Sequence, residues 1–235
     1  MPAVHLSGDG RMGTALKRLV EAGDDSAGGL TVGDLAAADV VIDYSHPEWT
    51  GPLLKSLLAA PRPLIVGTTG LTAEIEADLD ALAQRVPVVL AANTGTGINV
   101  LRRIVEQAVA ALPDWDVEVL EMHHRRKVDA PSGTAWMLVE AAGEVRAPGS
   151  GRDDAVASRV GETGARTASE IGVQTLRGGD VVGEHTVYVV GPGERIELTH
   201  RCWDRDTFAR GGLRAARWAL GAAPGRHTMA DVLGL

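Results

Sequence analysis

The sequence predicts an α/β chain: a doubly wound parallel sheet, joined to a second, α+β domain that carries a mixed sheet. Two observations predict this. Between Ala3 and Ala91, short apolar strands alternate with amphipathic helices, the pattern of a parallel sheet covered on both faces. After Asn93 the pattern changes. Strands return at 171–176, 181–190 and 195–202, and Ile196 to His200 alternates apolar with polar, as a half-buried antiparallel strand does.

The elements follow in order. Ala3 to Leu6 is a strand that runs into Gly8-Asp9-Gly10-Arg11-Met12-Gly13. Thr14 to Val20 is a helix with Leu16, Leu19 and Val20 on one face, and residues 23–34 are loop-like. Ala38 to Tyr44 is a buried strand ending at Ser45-His46-Pro47, followed by a helix over 48–59. Strand Leu64 to Val66, the turn Gly67-Thr68-Thr69-Gly70, a helix over 72–84 and a strand from Val86 to Ala91 come next. Asn93 to Gly97 is a Gly-rich connection into a helix from Ile98 to Leu112. Val117 to Met122 is a strand, Ala135 to Val145 a helix, and the polar stretch 147–170 a long surface loop. Gly191-Pro192-Gly193 turns between the last two strands, and a helix over 206–220 and a short tail close the chain. The expected domains are 1–94 with 207–235, and 95–206.

Composition excludes several classes. The chain has 235 residues and a net charge of −8, so a general nucleic-acid binder is not expected. With only five Trp, two Tyr and one Phe, base-stacking platforms are not expected. The single Cys202 can form no internal disulfide and no Cys-rich zinc site. No apolar run reaches the roughly 18 residues of a membrane span. The N-terminus lacks a basic n-region and apolar core, so no signal peptide is expected. These features suit a cytoplasmic protein.

Gly8, Gly10 and Gly13 fit G-x-G-x-x-G between a strand and a helix. In that setting the first Gly makes the turn, the second admits a pyrophosphate, and the third lets helix and strand pack closely. This Rossmann-like signature points to NADH or NADPH. Arg11 inside the loop can reach a phosphate or stay solvated. The usual next element is reduced: an acid about 20 residues on should end a second strand and hold the ribose. Only 26 residues separate Gly13 from Val40, and the acids there, Asp24, Asp25 and Asp34, lie in loop-like sequence. A full second βα unit needs roughly 30 to 40 residues, so that unit is expected to survive only as a vestige around Leu30-Thr31-Val32. The turns at 43–47, 67–70 and 92–94 also follow parallel strands, where a cofactor lies in such folds.

The most informative segment is Glu121 to Ala135, EMHHRRKVDAPSGTA. Five potential cations, His123 to Lys127, follow a strand directly, and Ser-Gly-Thr then opens a helix. Read physically, this receives a small dianion. Lys127 offers a point charge, and Gly133 and Thr134 offer N–H groups at a helix N-terminus. Either His123 or His124 can supply a proton near neutral pH. The plain alternative is a basic surface loop with a capped helix. A His-His metal pair is disfavoured, because adjacent strand residues point to opposite faces and no carboxylate or Cys cluster accompanies them. Elsewhere, His185 reads as structural, Arg177, Arg201 and Arg205 as candidates for subunit contacts, and Trp136 and Trp218 as core or interface.

This segment resembles the dihydrodipicolinate reductase family, whose pattern E-x-H-H-x-x-K-x-D-A-P-S-G-T-A is matched throughout Glu121 to Ala135. GDGRMG, IDYSHPE, GTTG, AANTGTGINV, RGGDVVGEHT and the region from ELTHR to ARGG extend the resemblance along nearly the whole chain. It implies transfer of hydride from NADH or NADPH to a cyclic imine dicarboxylate in lysine and diaminopimelate biosynthesis. It implies His123 as proton donor with Lys127 beside it in the catalytic pair, and His124, Lys127, Gly133 and Thr134 as substrate-binding residues. It implies Gly8, Gly10, Arg11, Met12 and Gly13 around the pyrophosphate, and Gly67, Thr69, Ala91 and Asn93 near the nicotinamide. No metal is implied, and the family's usual assembly implies a homotetramer. The sequence departs from the family at the second strand and at His46, where Arg is common. Weak discrimination between NADH and NADPH is therefore expected.

Overall fold

The computed structural model describes residues 1–147 and 149–235, which divide into two compact units: Met1–Thr96 with Asp206–Leu235, and Gly97–Arg205.

The first unit is an all-parallel sheet of six strands: β1 (Ala3–Ser7), β2 (Thr31–Val32), β3 (Val40–Asp43), β4 (Leu64–Val66), β5 (Pro87–Leu90) and β11 (Gly225–His227), in the order β11-β5-β4-β3-β1-β2. Its strands are apolar without alternation because both faces are covered. Val4, Ile42, Ile65 and Val89 face one core with α1 (Arg11–Glu21), α6 (Asp206–Ala219) and α7 (Met229–Leu233). Val41, Leu64, Val66 and Val88 face a second core with α2 (Pro47–Ala59) and α3 (Ala73–Ala83). In α6, Ala209, Leu213 and Ala216 fall at helical spacing, which carries the end of the chain back onto the sheet.

Two expectations are corrected here. The short tail after residue 220 is ordered: β11 pairs in parallel with β5, and Thr228 and Asp231 form a capping box that starts α7. Helix α1 begins at Arg11, inside the glycine motif, because Gly10 is its extended N-cap. The vestige expected near Leu30 takes the form of β2, a two-residue strand pairing with Ala3 and Val4, and a single 3-10 turn, Leu35–Ala37, stands in place of a helix.

The second unit holds α4 (Thr96–Ala111), β6 (Asp116–His123), α5 (Gly133–Arg146), β7 (Ala155–Val156), β8 (Ile171–Arg177), β9 (Gly183–Gly191) and β10 (Glu194–Cys202). The sheet order is β10-β9-β6-β8-β7, with β6 parallel to β8 and antiparallel to β9, so the sheet is mixed. Val117, Val119, Ile171, Val173, Val187 and Val189 pack on Ile98, Val105, Leu138 and Val139 of α4 and α5. The predicted loop 147–170 includes Pro148, which lies outside the described residues. The described remainder contains β7 and is tied down by Arg159 and Arg166, which pair with Glu118, Glu170 and Asp116.

Candidate active site

In the first unit, the turns after β1, β3, β4 and β5 all emerge at the carboxyl edge of the parallel sheet, as parallel pairing requires. This gathers Gly8 to Gly13, Tyr44 to His46, Gly67 to Gly70 and Ala91 to Asn93 along one edge. Gly8 has φ +104°, and a Cβ there would lie 2.7 Å from the Tyr44 carbonyl oxygen, so only Gly fits. A Cβ on Gly13 would lie 1.9 Å from the Gly8 oxygen. By contrast, a Cβ on Gly10 would meet nothing within 4 Å. The loop is thus closed against the protein at Gly8 and Gly13 and open outward at Gly10. The first-turn N–H groups of Arg11, Met12 and Gly13 have no partner within a helix, and no acidic residue occupies that turn. A cleft of about 610 Å³ runs past Gly8, Gly10, Tyr44, Ser45, His46 and Trp49. Size, open glycine and helix N-terminus together fit a dinucleotide.

The edge is held rigid from below. The buried Asp43 carboxylate accepts from Ser45 Oγ at 2.5 Å, Thr50 Oγ1 at 2.6 Å and Thr68 Oγ1 at 3.0 Å. Thr68 Oγ1 in turn accepts from the Ser45 N–H at 3.1 Å. Tyr44 is partly buried; desolvation pushes its phenol up to about 12, and its hydroxyl bonds to Thr94. Gly67 exists for this ring, since a Cβ there would lie 2.1 Å from Tyr44 Cε1. Thr69 is exposed, Ala91 packs partly on the first core, and the Asn93 Oδ1 accepts from the Gly95 N–H at 2.9 Å.

A second cleft of about 350 Å³ opens on the other side of the glycine loop, past Gly8, Gly13, Lys17, Val32, Gly33 and Asp34. The loop-like acid Asp34 therefore lies just beyond a parallel strand neighbouring β1, where a ribose acid belongs in such sheets. The sequence hid this because a two-residue strand has no periodicity to read.

In the second unit, Glu121 and His123 lie two apart on β6 and so share a face. His123 Nδ1 donates to Glu121 Oε2 at 2.5 Å. Arg177 grips the same carboxylate with both forks, Nη1 to Oε2 at 2.9 Å and Nη2 to Oε1 at 3.0 Å. The Ser132 N–H and Thr175 Oγ1 donate to Oε1 at 3.1 and 3.2 Å. Burial raises the pKa of Glu121, but the bonds from His123 and Arg177 outweigh it and hold the group down at about 2. Arg177, read from the sequence as a candidate for subunit contacts, is instead spent inside this site, where Nη2 also donates to the Asp129 carbonyl at 2.6 Å.

His185, opposite Glu121 on β9, stands edge-on to His123 with ring centroids 5.2 Å apart. Burial, reinforced by the neighbouring His123, pushes it down to about 3. It is therefore neutral and bonds through Nε2 to Ser132 Oγ at 3.2 Å. Ser132 caps α5 by accepting from the Ala135 N–H at 3.1 Å, which leaves Gly133 and Thr134 in the first turn, with Gly133 exposed. Lys127 Nζ donates to Asp129 at 2.8 Å, and that bond holds the Asp129 carboxyl below its usual range. His124 is lowered by desolvation and by the nearby Arg205. Among the described residues, no group of three His, Cys, Asp or Glu is placed to hold a metal ion. The structure thus joins His123, Lys127 and the α5 N-terminus through Glu121, Arg177, Ser132 and Asp129. Arg177 is the member that sequence reading missed, while His185, read as structural, supports the site from β9. The signal for Arg177 was its register, since β8 places it directly opposite His123.

Comparison with known proteins decides the family. The family model for the dihydrodipicolinate reductase C-terminus matches residues 97–233, and that for the N-terminus matches residues 30–94. The chain belongs to the dihydrodipicolinate reductase family. A 4-hydroxy-tetrahydrodipicolinate reductase of Myxococcus xanthus is 55% identical over 202 residues, covering 86% of this chain and 74% of that one. One from Anaeromyxobacter dehalogenans is 46% identical over 260 aligned positions, covering 96% and 95%. That alignment is longer than this 235-residue chain, so the relative carries residues that this reductase-family chain lacks. The dipicolinate-bound dihydrodipicolinate reductase from Paenisporosarcina shares the fold with a TM-score of 0.78 at 22% identity, covering 98% of both chains.

Proposed function

We propose that this chain reduces 4-hydroxy-tetrahydrodipicolinate to tetrahydrodipicolinate with NADH or NADPH, the 4-hydroxyl leaving as water and His123 delivering the proton that accompanies the hydride. The observation that carries the reading is the buried Glu121–His123 pair, bonded into the same frame as Lys127 and the first turn of α5. A dicarboxylate needs cationic and N–H partners, and Lys127, His124, Gly133 and Thr134 supply both kinds.

A bound reduced nicotinamide supplies the hydride. In the first unit, Gly8, Gly10, Arg11, Met12 and Gly13 would hold the pyrophosphate, while Gly67, Thr69, Ala91 and Asn93 would border the nicotinamide. Asp34 would accept from the ribose hydroxyls, and Lys17, on the same cleft, would offset its charge toward a 2′-phosphate. An acid and a base on one rim support use of both cofactors. In the second unit, Lys127 turns from Asp129 toward a substrate carboxylate, and the His123 Nε2–H gives its proton as the substrate's conjugated system gains electrons.

We place the enzyme in the cytoplasm, within lysine and diaminopimelate biosynthesis, as a homotetramer. The sheet face carrying Leu120, Met122 and Tyr188 stays outside the apolar core of the second unit and is available for self-assembly. No helix among the described residues is long and apolar enough to cross a membrane. The direct test is turnover: the product of a dihydrodipicolinate synthase, supplied in a coupled assay, should oxidise NADH and NADPH in the presence of this protein. Cofactor binding without oxidation would mark a non-catalytic binding protein instead.

A further inference from the structure

The fold commits an unusual amount of buried charge to one carboxylate. Glu121 is fully buried, yet it accepts five hydrogen bonds, from His123, both forks of Arg177, Ser132 and Thr175. A buried ionised carboxylate is costly unless it is paired and saturated with donors, and here it is both. Arg177 is anchored separately by the carbonyls of Leu176 and Asp129, at 2.7 and 2.6 Å, so the guanidinium is fixed from two sides. Packing alone requires no such arrangement, because an apolar pair would fill the space without desolvating two charges.

The geometry has a specific consequence for His123. Because Glu121 is ionised and can only accept, Nδ1 must carry a proton. That leaves Nε2 as the atom that gains and loses one. Nε2 lies over Gly183, where a Cβ would come within 3.0 Å of it, so the Gly keeps this nitrogen uncovered. The groups facing the ring are Glu121 on its own strand, Arg177 on β8 and the neutral His185 on β9, with His124 and Lys127 following in the chain. Of these, Glu121 alone bonds to Nδ1, at 2.5 Å; Arg177 and Lys127 are donors, and His185 bonds through its Nε2 to Ser132.

We infer that Glu121, clamped by Arg177, is a positioning residue that fixes His123 in the Nδ1–H form and presents Nε2 to the substrate. Glu121 touches no substrate itself. The Ser132 N–H bond extends its effect, since the same carboxylate anchors the cap of α5 and therefore the turn carrying Gly133 and Thr134. When Nε2–H gives up its proton, the ring is left neutral with Nδ1–H still on Glu121, and Nε2 is reprotonated from solvent. This inference rests on the reading of His123 as the proton donor.

Glu121→Gln is the informative variant. Oε1 receives three donors while Oε2 receives only the ring and Arg177 Nη1, so the Gln carbonyl should take the Oε1 place and its NH₂ the Oε2 place, leaving Nη1 to the Leu176 carbonyl and forcing the His123 proton to Nε2. Long-range proton–nitrogen NMR of the His123 ring should show Nδ1–H in the wild type and Nε2–H in Glu121→Gln. The variant should lose kcat by about 10²-fold while both KM values stay within about threefold, and Glu121→Asp should recover part of the loss. Wild-type kcat in Glu121→Gln, or an Nε2–H tautomer in the wild type, would overturn the inference. The wild-type spectrum decides the matter even if the variant does not fold. If instead His123→Gln keeps full activity, it is the donor reading that fails, whatever the tautomer.

Discussion

The two units build their candidate sites by opposite means. Around the glycine loop, the binding surface is made of backbone: Gly8 and Gly13 bring main chain to main chain, and Gly10 leaves an open concavity before a helix N-terminus. Around His123 the surface is made of charged side chains held by buried partners, with Glu121, Arg177 and His185 all withdrawn from solvent to different degrees. The first kind of site tolerates changes of charge but no added atoms at Gly8 or Gly13. The second has room for small steric changes but no loss of a partner, because each missing donor strands a buried acceptor.

The largest expected effect on cofactor binding follows from the steric side. Gly13→Ala would put a methyl group 1.9 Å from the Gly8 oxygen, so the loop must move. Cofactor affinity should fall by at least about 10²-fold, roughly 2.7 kcal/mol. Binding of pyridine-2,6-dicarboxylate should be unchanged. Calorimetric titration of each ligand checks this, and equal losses for both would erase the contrast between the units.

The electrostatic side should appear in stability against pH. His185 is lowered from 6.5 to about 3, so the unfolded chain binds more protons in that interval. Its contribution is complete above pH 6.5 and is lost as pH falls toward 3, on the order of 5 kcal/mol at most. Glu121, lowered from 4.5 to about 2, adds a loss of about 3 kcal/mol, complete only below pH 2. Melting temperature should therefore already decline below pH 6.5. His185→Gln should flatten the slope between pH 6.5 and 4.5, leaving a smaller one from His124 and His200, which desolvation lowers in the same direction. An unchanged slope would show that His185 is not buried neutral.

Lys127→Ala comes next. It should raise KM for the dicarboxylate by about 10- to 100-fold and lower kcat, while leaving cofactor affinity alone, as steady-state kinetics would show. The smallest effect belongs to the adenosine end. Wild-type kcat/KM for NADH and NADPH should differ by less than about 100-fold, some 2.7 kcal/mol. Asp34→Asn should shift the ratio toward NADPH by a few-fold. A larger native preference would mean that Lys17 and Asp34 do not balance.

The backbone site was legible in the sequence because glycine spacing encodes it: Gly8, Gly10 and Gly13 have few other reasons to fall between a strand and a helix. The parallel sheet was legible for the same local reason, from runs such as Val40 to Asp43. The second site was only half legible. Glu121 to Ala135 announced its cations, but Arg177 and His185 join it through strand register, across 56 and 53 residues of chain. Local pattern carries no trace of such pairs. The ends of the first sheet were the other gap. Short edge strands such as β2 and β11 have too few residues for a period, and their pairing is fixed by the neighbours they dock on.

The central claim is that His123 delivers the proton in a reduction driven by a nicotinamide cofactor. His123→Gln tests it most directly, with loss of reduced-cofactor absorbance as the readout and cofactor affinity measured on the same sample. The account predicts a kcat lowered by about 10² to 10⁴-fold with cofactor affinity unchanged. Full kcat/KM in that variant would contradict it.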